Sequence, residues 1–312
     1  MDAAPPRGAA APDPRTSIVV LTHNRAGELL RTLARLQALP EAPPIVVVDN
    51  GSRDGTAARV AAAFPQVDLV ALPVNVAAAG RNAGVACVRT PYVAFCDDDT
   101  WWDPGALRRA ADALDAHPRV AAVAARVLVG PSNRTDPTCH AMAASPLPAR
   151  GLPGPALIGF MAGAVVLRRS AFLQAGGYEP RFFIGAEEGL LSLDLLARGW
   201  CIVYLADVTT HHHPSPQRDP AARSRLYTRN LLWLAWLRLP WRIAWADTRR
   251  LLRAQGSLWR AAVPLCQALH GLPWVLRRRR VIPPEVLVQV LAVRRQAAPP
   301  EAPAAVSGRL VG

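Results

Sequence analysis

The chain of 312 residues contains no lysine, so its 36 strongly basic residues are all arginine. A nucleotidyltransferase built on a parallel sheet is expected to carry a glycine-rich, lysine-containing signature near its first strand, and the missing lysine argues against that class. Long apolar runs are also missing. The run Leu231–Leu237 is far below the roughly 20 residues that cross a bilayer. Residues 1–15 lack an apolar segment typical of a secretory signal, and we expect a disordered tail there.

Cysteine is scarce as well. The five cysteines show no metal-ligand spacing, and an odd count in apolar surroundings predicts reduced thiols of a cytosolic protein. The hydrophobic content of 51% is enough for a chain of this length to bury a sizeable core. Six prolines between residues 130 and 155 predict a long irregular loop, which is either functional or an insert without a role.

Three consecutive aspartates, Asp97–Asp99, follow the apolar run Tyr92–Cys96. The run predicts a buried strand, so the carboxylates are expected at its carboxyl end, where open α/β sheets bind ligands. Adjacent negative charges repel one another, and a divalent cation with oxygen ligands would compensate them. A solvated acidic turn is the alternative for this segment alone.

Strands and helices alternate through the first 100 residues. Predicted strands lie at 17–22, 44–48, 67–72 and 92–96, and predicted helices at about 26–38, from about 55, and from about 75 to 89. Asp49 ends the second strand, and Asp54 is placed to cap the helix after it. This order predicts an α/β fold with a parallel sheet and helices on both faces.

Several motifs carry a family resemblance. They are Thr22–Arg25, Val47–Thr56, Gly80–Gly84, Phe95–Asp99, Gly163–Arg169, Gly176–Phe183, Glu187–Glu188, Leu191–Trp200 and Tyr204–His211. In this order and spacing the chain resembles the family 2 glycosyltransferases, in their rhamnosyltransferase-like branch. These enzymes are inverting, depend on nucleotide-sugar donors and have the GT-A fold. The resemblance covers about residues 16–213 and implies a mostly parallel central sheet flanked by helices.

The resemblance also implies a donor site. Asp97 and Asp98 are expected on the nucleoside side of the acidic cluster, and Asp49 resembles the acid that binds the base. Arg81 is expected at the ribose or the diphosphate; a solvated helix arginine is the alternative. The motif residues expected to line the same pocket are Thr22, Asn24 and Arg25.

A divalent metal, Mg²⁺ or Mn²⁺, is implied between the acidic cluster and the donor diphosphate, where it stabilises the leaving group. Asp99 is the expected carboxylate ligand, and the spacing from Tyr204 makes His211 the expected histidine ligand. On an extended strand His213 shares its face and is the second choice, whereas His212 is expected to point away. A surface loop is the alternative for the three histidines.

Glu187 and Glu188 are expected to open a helix over about 187–198. An inverting transfer needs a carboxylate that removes the proton of the acceptor hydroxyl. The family usually has Glu-Asp here with the second acid as base, so Glu188 is the expected base and Glu187 its assistant. The alternative is a pair of acids that only complements the helix dipole. Trp101 and Trp102 could stack on a sugar or pack in the core.

Charge is segregated along the chain. Residues 214–312 hold 17 arginines against 4 acids, which accounts for the whole formal net charge of +13. Tryptophans among these arginines predict a basic amphipathic helical extension over 214–290, peripheral on an anionic membrane through about 226–280, with a disordered tail over 291–312. Nucleic-acid binding is disfavoured, since no groove-reading motif is found. The other alternative is an extension that packs on the catalytic domain.

Together these features predict an inverting glycosyltransferase at the cytoplasmic face of the membrane, acting in bacterial surface glycan or glycolipid synthesis. Its partners would be a nucleotide-sugar donor, a glycan or lipid-linked acceptor and an anionic membrane surface, but no nucleic acid. The alternative is an inactive membrane-docking or scaffold protein with a degenerate transferase domain. An intact acidic cluster together with Glu188 and His211 argues against that alternative.

Overall fold

The computed structural model describes residues 12–214 and 220–297. The strands in this part are β1 (Thr16–Thr22), β2 (Ile45–Asp49), β3 (Asp68–Ala71), β4 (Tyr92–Asp97), β5 (Thr100–Trp102), β6 (Val120–Val129), β7 (Arg134–Thr135), β8 (Val165–Arg168) and β9 (Cys201–His212). The helices are α1 (Ala26–Gln37), α2 (Thr56–Ala63), α3 (Gly80–Cys87), α4 (Ala106–Ala116), α5 (Pro137–Ala143), α6 (Arg169–Ala175), α7 (Glu187–Leu196), α8 (Pro220–Arg238), α9 (Trp241–Arg253), α10 (Leu258–His270), α11 (Leu272–Arg278) and α12 (Pro284–Ala297).

All strands belong to one sheet in the order β3-β2-β1-β4-β8-β6-β9-β5, and β7 pairs with β6 at its side. Strands β1, β2, β3, β4, β6 and β9 point the same way, whereas β5, β7 and β8 run against them. The central strands β1, β2 and β4 are buried along almost their whole length, which explains their continuous apolar sequences. The predicted α/β fold with a mostly parallel sheet flanked by helices is confirmed.

Helix α3 lies close against the sheet because of one glycine. A Cβ added at Gly84 would lie 2.4 Å from Val19 Cγ1 and 2.9 Å from Val48 Cγ2, so only glycine allows this distance between α3 and strands β1 and β2. The close packing brings the amino end of α3, with Arg81, to the carboxyl ends of these strands.

The predicted irregular loop over 130–155 is wrong in part, because it contains β7 and α5. Pro137 occupies the first turn of α5, where a missing N–H costs nothing, and Asp136 caps that helix by accepting from Thr138 N–H at 2.8 Å. Cys139 lies on the buried side of this helix and accepts a hydrogen bond from Val127 N–H. The prolines therefore start and flank a helix instead of preventing one.

Helix α8 is a core helix, which corrects the interpretation of the Leu231–Leu237 run as a membrane surface. Trp233 donates through Nε1 to Ala268 O at 3.0 Å, and Trp236 donates through Nε1 to Thr248 Oγ1 at 2.8 Å. Both indoles are nearly inaccessible, since α8 lies between α7 and the later helices. No helix in the described part of the chain has both the length and the apolar character needed to cross a membrane.

Part of each predicted disordered tail, 1–15 and 291–312, is ordered in the structure. Within the expected amino-terminal tail, Asp13 is buried and Arg15 forms ion pairs with Asp13, Asp112 and Asp115. At the other end α12 runs to Ala297, beyond the expected boundary at residue 290, and Arg294 pairs with Asp247 at 2.8 Å. The remaining tail residues, 1–11 and 298–312, lie outside the described residues. The division into a domain over 16–213 and an extension from 214 stays a prediction.

Candidate active site

A cleft of about 310 Å³ opens at the carboxyl ends of β1 and β4. Predicted site residues that line it are Thr22, Arg25, Arg81, Asp97, Asp98, Asp99 and Glu187. Residues that the sequence did not single out and that also line it are His23, Asn50, Asn75, Phe183 and Ile184. The parallel strand ends bring the start of α1 close to the start of α7, although these residues lie far apart in the chain.

Asp97 is half-buried, which makes it the most exposed member of the acidic cluster, and it pairs with a buried arginine. Its carboxylate accepts from Arg81 Nη2, while Arg81 is only 4% exposed. Burial is the largest single effect and works against the Arg81 charge, but Asp97 together with Tyr178, Glu187 and Glu188 outweighs it, so the pKa of Arg81 is raised. Gly163 lies against this pair, because a Cβ there would come within 2.6 Å of Asp97 Oδ2. The arginine is therefore a fixed positive charge on the cleft wall.

Asp98 is turned inward and is held by the protein itself. Thr22 Oγ1 donates to Asp98 Oδ2 at 2.9 Å, and Arg25 Nη1 donates to Asp98 Oδ1 at 3.1 Å. Burial raises the pKa of Asp98 to about 7, although Arg25 opposes the shift. Thr32 Oγ1 also donates to the Asp98 carbonyl at 2.8 Å. Asp98 thus joins the start of α1 to the end of β4.

The histidine beside Asp99 is His212, which corrects the expected geometry. His212 Nε2 lies 3.6 Å from Asp99 Oδ1, and Arg25 Nη1 lies 3.6 Å from Asp99 Oδ2. His211 instead contacts Asp103 Oδ1 through Nε2 at 2.7 Å, and its ring stacks on Trp101. The two expected histidine ligands are therefore directed away from the acidic cluster.

A bulge in β9 explains the reversal. Ala125 of β6 pairs with Leu205, but the next residue, Arg126, pairs with Thr209. The extra residues 206–208 change which face of the sheet each later side chain occupies, so counting along the strand from Tyr204 gives the wrong face. In the resulting register His212 lies opposite Thr100.

His213 shares the face of His211, as alternation requires. Its ring packs edge-on against Trp101, which also contacts the His211 ring and the Arg35 guanidinium, the latter 3.6 Å from the ring centroid. Burial, together with Arg35 and His211, lowers the pKa of His213. Trp102 is 1% exposed and belongs to the core, so neither tryptophan lines the cleft.

The side chains around Asp99 offer atoms that can ligate a divalent ion. The described residues nevertheless contain no group of three or more His, Cys, Asp or Glu side chains placed to hold one. Asp99 offers a carboxylate that is 5% exposed and faces both Arg25 and the His212 imidazole. Carboxylate oxygen and imidazole nitrogen are ligands that Mn²⁺ accepts, and Mg²⁺ accepts the oxygen. Such an ion would need its other ligands from the donor or from water.

Glu187 and Glu188 open α7 and face different cavities. Glu187 is 5% exposed and lines the cleft at the ends of β1 and β4, whereas Glu188 lines a second cavity of about 660 Å³. Burial, and then the neighbouring Glu188 charge, raise the pKa of Glu187 to about 7. Oε2 of each glutamate is buried without a hydrogen-bond partner among the described residues. The pair therefore stands at the boundary between the two cavities.

The second cavity is mainly apolar. Its wall comes from the segment 138–161 and from α8 and α12, through Tyr227, Val293 and Gln296. Glu188 is its one ionisable carboxyl group. Apolar side chains of the segment 138–161 that line it are Ala141, Met142, Pro146, Leu157, Ile158, Phe160 and Met161.

The loop before α7 is held by Asn230, which the sequence analysis missed. Asn230 is fully buried on α8 and donates through Nδ2 to three carbonyls, those of Phe182 at 2.7 Å, Ile184 at 3.1 Å and Gly185 at 2.6 Å. Within this loop Phe183 (φ 59°) and Ala186 (φ 64°) adopt positive φ values that side chains disfavour. Asn230 stands between Arg229 and the apolar run Leu231–Leu237, and nothing in these sequence neighbours indicates a contact with the loop.

Two predicted donor-binding residues do not line the cleft. Asp49 accepts from Ser52 N–H at 3.0 Å, and Asn24 accepts from Arg53 N–H at 2.7 Å. Both shape the loops at the cleft rim, and their contact with a nucleotide stays a prediction. Asn50, next to Asp49, does line the cleft; its amide accepts from Val76 N–H and donates to Ala77 O.

Residues 17–175 match the family model described as Glycosyl transferase family 2. A curated relative, the N-acetylglucosaminyl-diphospho-decaprenol L-rhamnosyltransferase of Mycobacterium tuberculosis, is 30% identical over 241 residues, which cover 66% of this chain and 78% of the relative. The family resemblance expected from the motifs is confirmed.

Solved structures support the fold. A mannosyltransferase from Pyrobaculum calidifontis in complex with GDP-Man and Mn²⁺ is similar over 94% of this chain and 90% of its own, with a TM-score of 0.55 and 19% identity. S. aureus TarS in complex with UDP-GlcNAc is similar over 71% of this chain and 65% of its own, with a TM-score of 0.55 and 17% identity. The chain therefore has the fold of these glycosyltransferases.

Proposed function

Because the chain belongs to glycosyl transferase family 2, we propose that it is an inverting, metal-dependent enzyme that moves a sugar from a nucleotide-sugar donor to an acceptor hydroxyl. One observation carries this proposal: the Glu187–Glu188 pair lies between a polar cleft and an apolar cavity, with the acidic cluster on the polar side. A transferase needs two adjoining sites and a base between them.

The polar cleft is proposed to bind the donor. Arg81 and Arg25 place positive charge where a diphosphate would lie, and Asp99 with His212 would hold the divalent ion. When bound, the ion supplies charge stabilisation to the leaving nucleoside diphosphate. Two of the similar solved structures contain nucleotide sugars, which supports this kind of donor.

Glu188 is proposed as the base because it faces the cavity from which an acceptor would enter. In the single displacement, the acceptor oxygen attacks the anomeric carbon, the bond to the diphosphate breaks, and the hydroxyl proton passes to Glu188. With a pKa of about 7, Glu187 is partly protonated near neutral pH. A neutral Glu187 removes the charge repulsion between the two neighbouring carboxyl groups.

The acceptor is proposed to be lipid-linked. The Mycobacterium tuberculosis relative acts, by its name, on a diphospho-decaprenol carrier, and the cavity at Glu188 has mainly apolar walls. This acceptor would place the enzyme at the cytoplasmic face of the membrane, in the synthesis of a bacterial surface glycan. The alternative, an inactive scaffold, keeps the fold without turnover.

A screen of nucleotide sugars for donor hydrolysis with Mn²⁺ or Mg²⁺ tests the proposal. We expect at least one donor to be hydrolysed, and Asp99→Asn to abolish the reaction. If no nucleotide sugar is bound or hydrolysed with either metal, the scaffold alternative is favoured.

A further inference from the structure

The exposed residues of α9 and of the start of α10 include both apolar and cationic side chains. On α9 the residues Arg242, Trp245, Arg249 and Arg253 follow helical spacing and lie on one side, while the opposite side buries Ala244, Asp247 and Thr248. At the start of α10 Leu258 is 89% exposed and Trp259 is 87% exposed. We call Arg242, Trp245, Arg249, Arg253, Leu258 and Trp259 the tryptophan–arginine face.

Within residues 12–214 and 220–297, no ion pair joins an acidic side chain to Arg242, Arg249 or Arg253. Asp247 is the one acid between residues 220 and 284, and it is buried, with its carboxylate paired to Arg294 at 2.8 Å and to Arg250 at 3.4 Å. Another tryptophan, Trp241, lies next to the face under the Arg279 guanidinium, 3.8 Å from the ring centroid. The charged side chains of the tryptophan–arginine face are therefore all cationic.

We propose that the tryptophan–arginine face docks on an anionic lipid bilayer, with the helix axes in the plane of the headgroups. Indoles and leucine enter the boundary between headgroups and acyl chains, and guanidinium groups pair with lipid phosphates. The sequence predicted membrane contact through about 226–280; the structure removes the buried α8 from that surface and leaves α9 and α10.

Two other occupants fit the chemistry less well. A second copy of the chain would bring arginines against arginines in a two-fold interface, with no acid on the face to neutralise them. A single-stranded nucleic acid could stack on the indoles, but it gives no partner to the aliphatic Leu258. A lipid surface provides apolar and anionic groups within a few ångströms of each other.

Vesicle sedimentation with the full chain tests the proposal. We expect binding to vesicles of phosphatidylcholine with phosphatidylglycerol and much weaker binding to phosphatidylcholine alone. Replacing the indoles, Trp245→Ala with Trp259→Ala, should lower the vesicle affinity by about tenfold or more. The matched control, Leu173→Ala with Val288→Ala, removes exposed apolar side chains elsewhere and should leave the affinity unchanged.

A second pair of variants distinguishes the effect of arginines on the face from the effect of the protein's net charge. Replacing Arg242, Arg249 and Arg253 by Gln should cost about fivefold in affinity per arginine at low salt. The control replaces the exposed Arg59, Arg89 and Arg150 by Gln, which lowers the net charge equally but away from the face. Circular dichroism and thermal unfolding verify that every variant is folded.

Three outcomes would overturn the proposal: no sedimentation with anionic vesicles, equal losses in the face and control variants, or a dimer or RNA complex that needs the same indoles and excludes vesicles. The assay requires no catalysis. A chain that transfers sugar to a soluble acceptor but ignores vesicles contradicts only this inference, whereas an inactive chain that binds vesicles contradicts only the proposed function.

Discussion

Glu187 and Glu188 are neighbours in the chain, yet each lines a different cavity, so single substitutions separate their roles. Glu188→Gln should keep donor affinity and lower the transfer rate by about two orders of magnitude or more, because the proton of the acceptor hydroxyl loses its base. Glu187→Gln should cost less. Rates with a saturating donor and calorimetric donor affinities measure both effects. Equal, modest losses would indicate two acids that only complement the helix dipole.

The pH dependence of the free energy of unfolding tests the raised pKa of Glu187 independently of activity. Burial and Glu188 raise its pKa from 4.5 to about 7, so between these pH values the folded chain binds more protons than the unfolded chain. This group's contribution to the free energy of unfolding therefore falls as the pH rises from about 4.5 to about 7, by about 3 kcal/mol at most.

Glu187→Gln should remove that slope. The melting temperature of the variant, relative to the parent, is expected to rise across this pH window and to level off above it. Asp98, whose pKa is also raised to about 7, keeps its own slope in both proteins and does not affect the difference. Parallel curves of melting temperature against pH would contradict the assignment.

The metal assignment depends on which histidine faces Asp99. Asp99→Asn should remove metal-dependent binding of a nucleoside diphosphate, and His212→Ala should weaken it by about tenfold or more. His211→Ala is the control, since that ring contacts Asp103 and Trp101. Calorimetry with Mn²⁺ gives the affinities. A larger loss in the His211 variant than in the His212 variant would restore the expectation from spacing.

At the scale of elements, α8 positions the loop that precedes α7. Asn230→Ala leaves the carbonyls of Phe182, Ile184 and Gly185 without their buried donor, which costs about 1–3 kcal/mol and frees a loop with two positive φ angles. We expect kcat on a soluble acceptor to fall about tenfold or more. Asn230→Asp should be at least as damaging, because a carboxylate cannot donate.

Thr228→Val on the same helix separates positioning from stability. Thr228 Oγ1 donates to Ser224 O within α8 and accepts from Gln255, so this variant loses stability without touching the loop. If the Thr228 and Asn230 variants lose melting temperature and kcat in the same proportion, the role of Asn230 is only structural.

The same elements show what sequence could and could not predict. Strands β1, β2 and β4 could be predicted because buried parallel strands are continuously apolar. The position of Asp97–Asp99 at the cleft could be predicted because these residues end such a strand. The side of the sheet on which His212 lies could not be predicted from the sequence, since it depends on a bulge in the pairing of β9 with β6. The contact between Asn230 and the loop joins residues that are 45 to 48 positions apart, and no local pattern encodes it.

At the scale of the whole molecule, the first of the basic helices, α8, is part of the hydrophobic core. Leu232, Trp233 and Trp236 of α8 are nearly inaccessible, so a chain that ends before residue 220 should expose their apolar partners and lose its cooperative unfolding. A chain that ends at residue 297 keeps every described helix and should unfold like the parent. Near-ultraviolet circular dichroism and thermal scans compare the two. A stable, active chain that ends before residue 220 would show that the helices are separable.

The bulge at residues 206–208 also has a consequence for how such enzymes diverge. If one residue is inserted or deleted there, every later side chain of β9 moves to the opposite face of the sheet. A single-codon deletion would exchange the sides of His212 and its two neighbours, while every amino acid in the triplet stays the same. A run of three histidines tolerates this kind of slip, because either parity presents an imidazole to Asp99. In a relative with one histidine here, the same deletion would remove it from the site although an alignment still showed it in place.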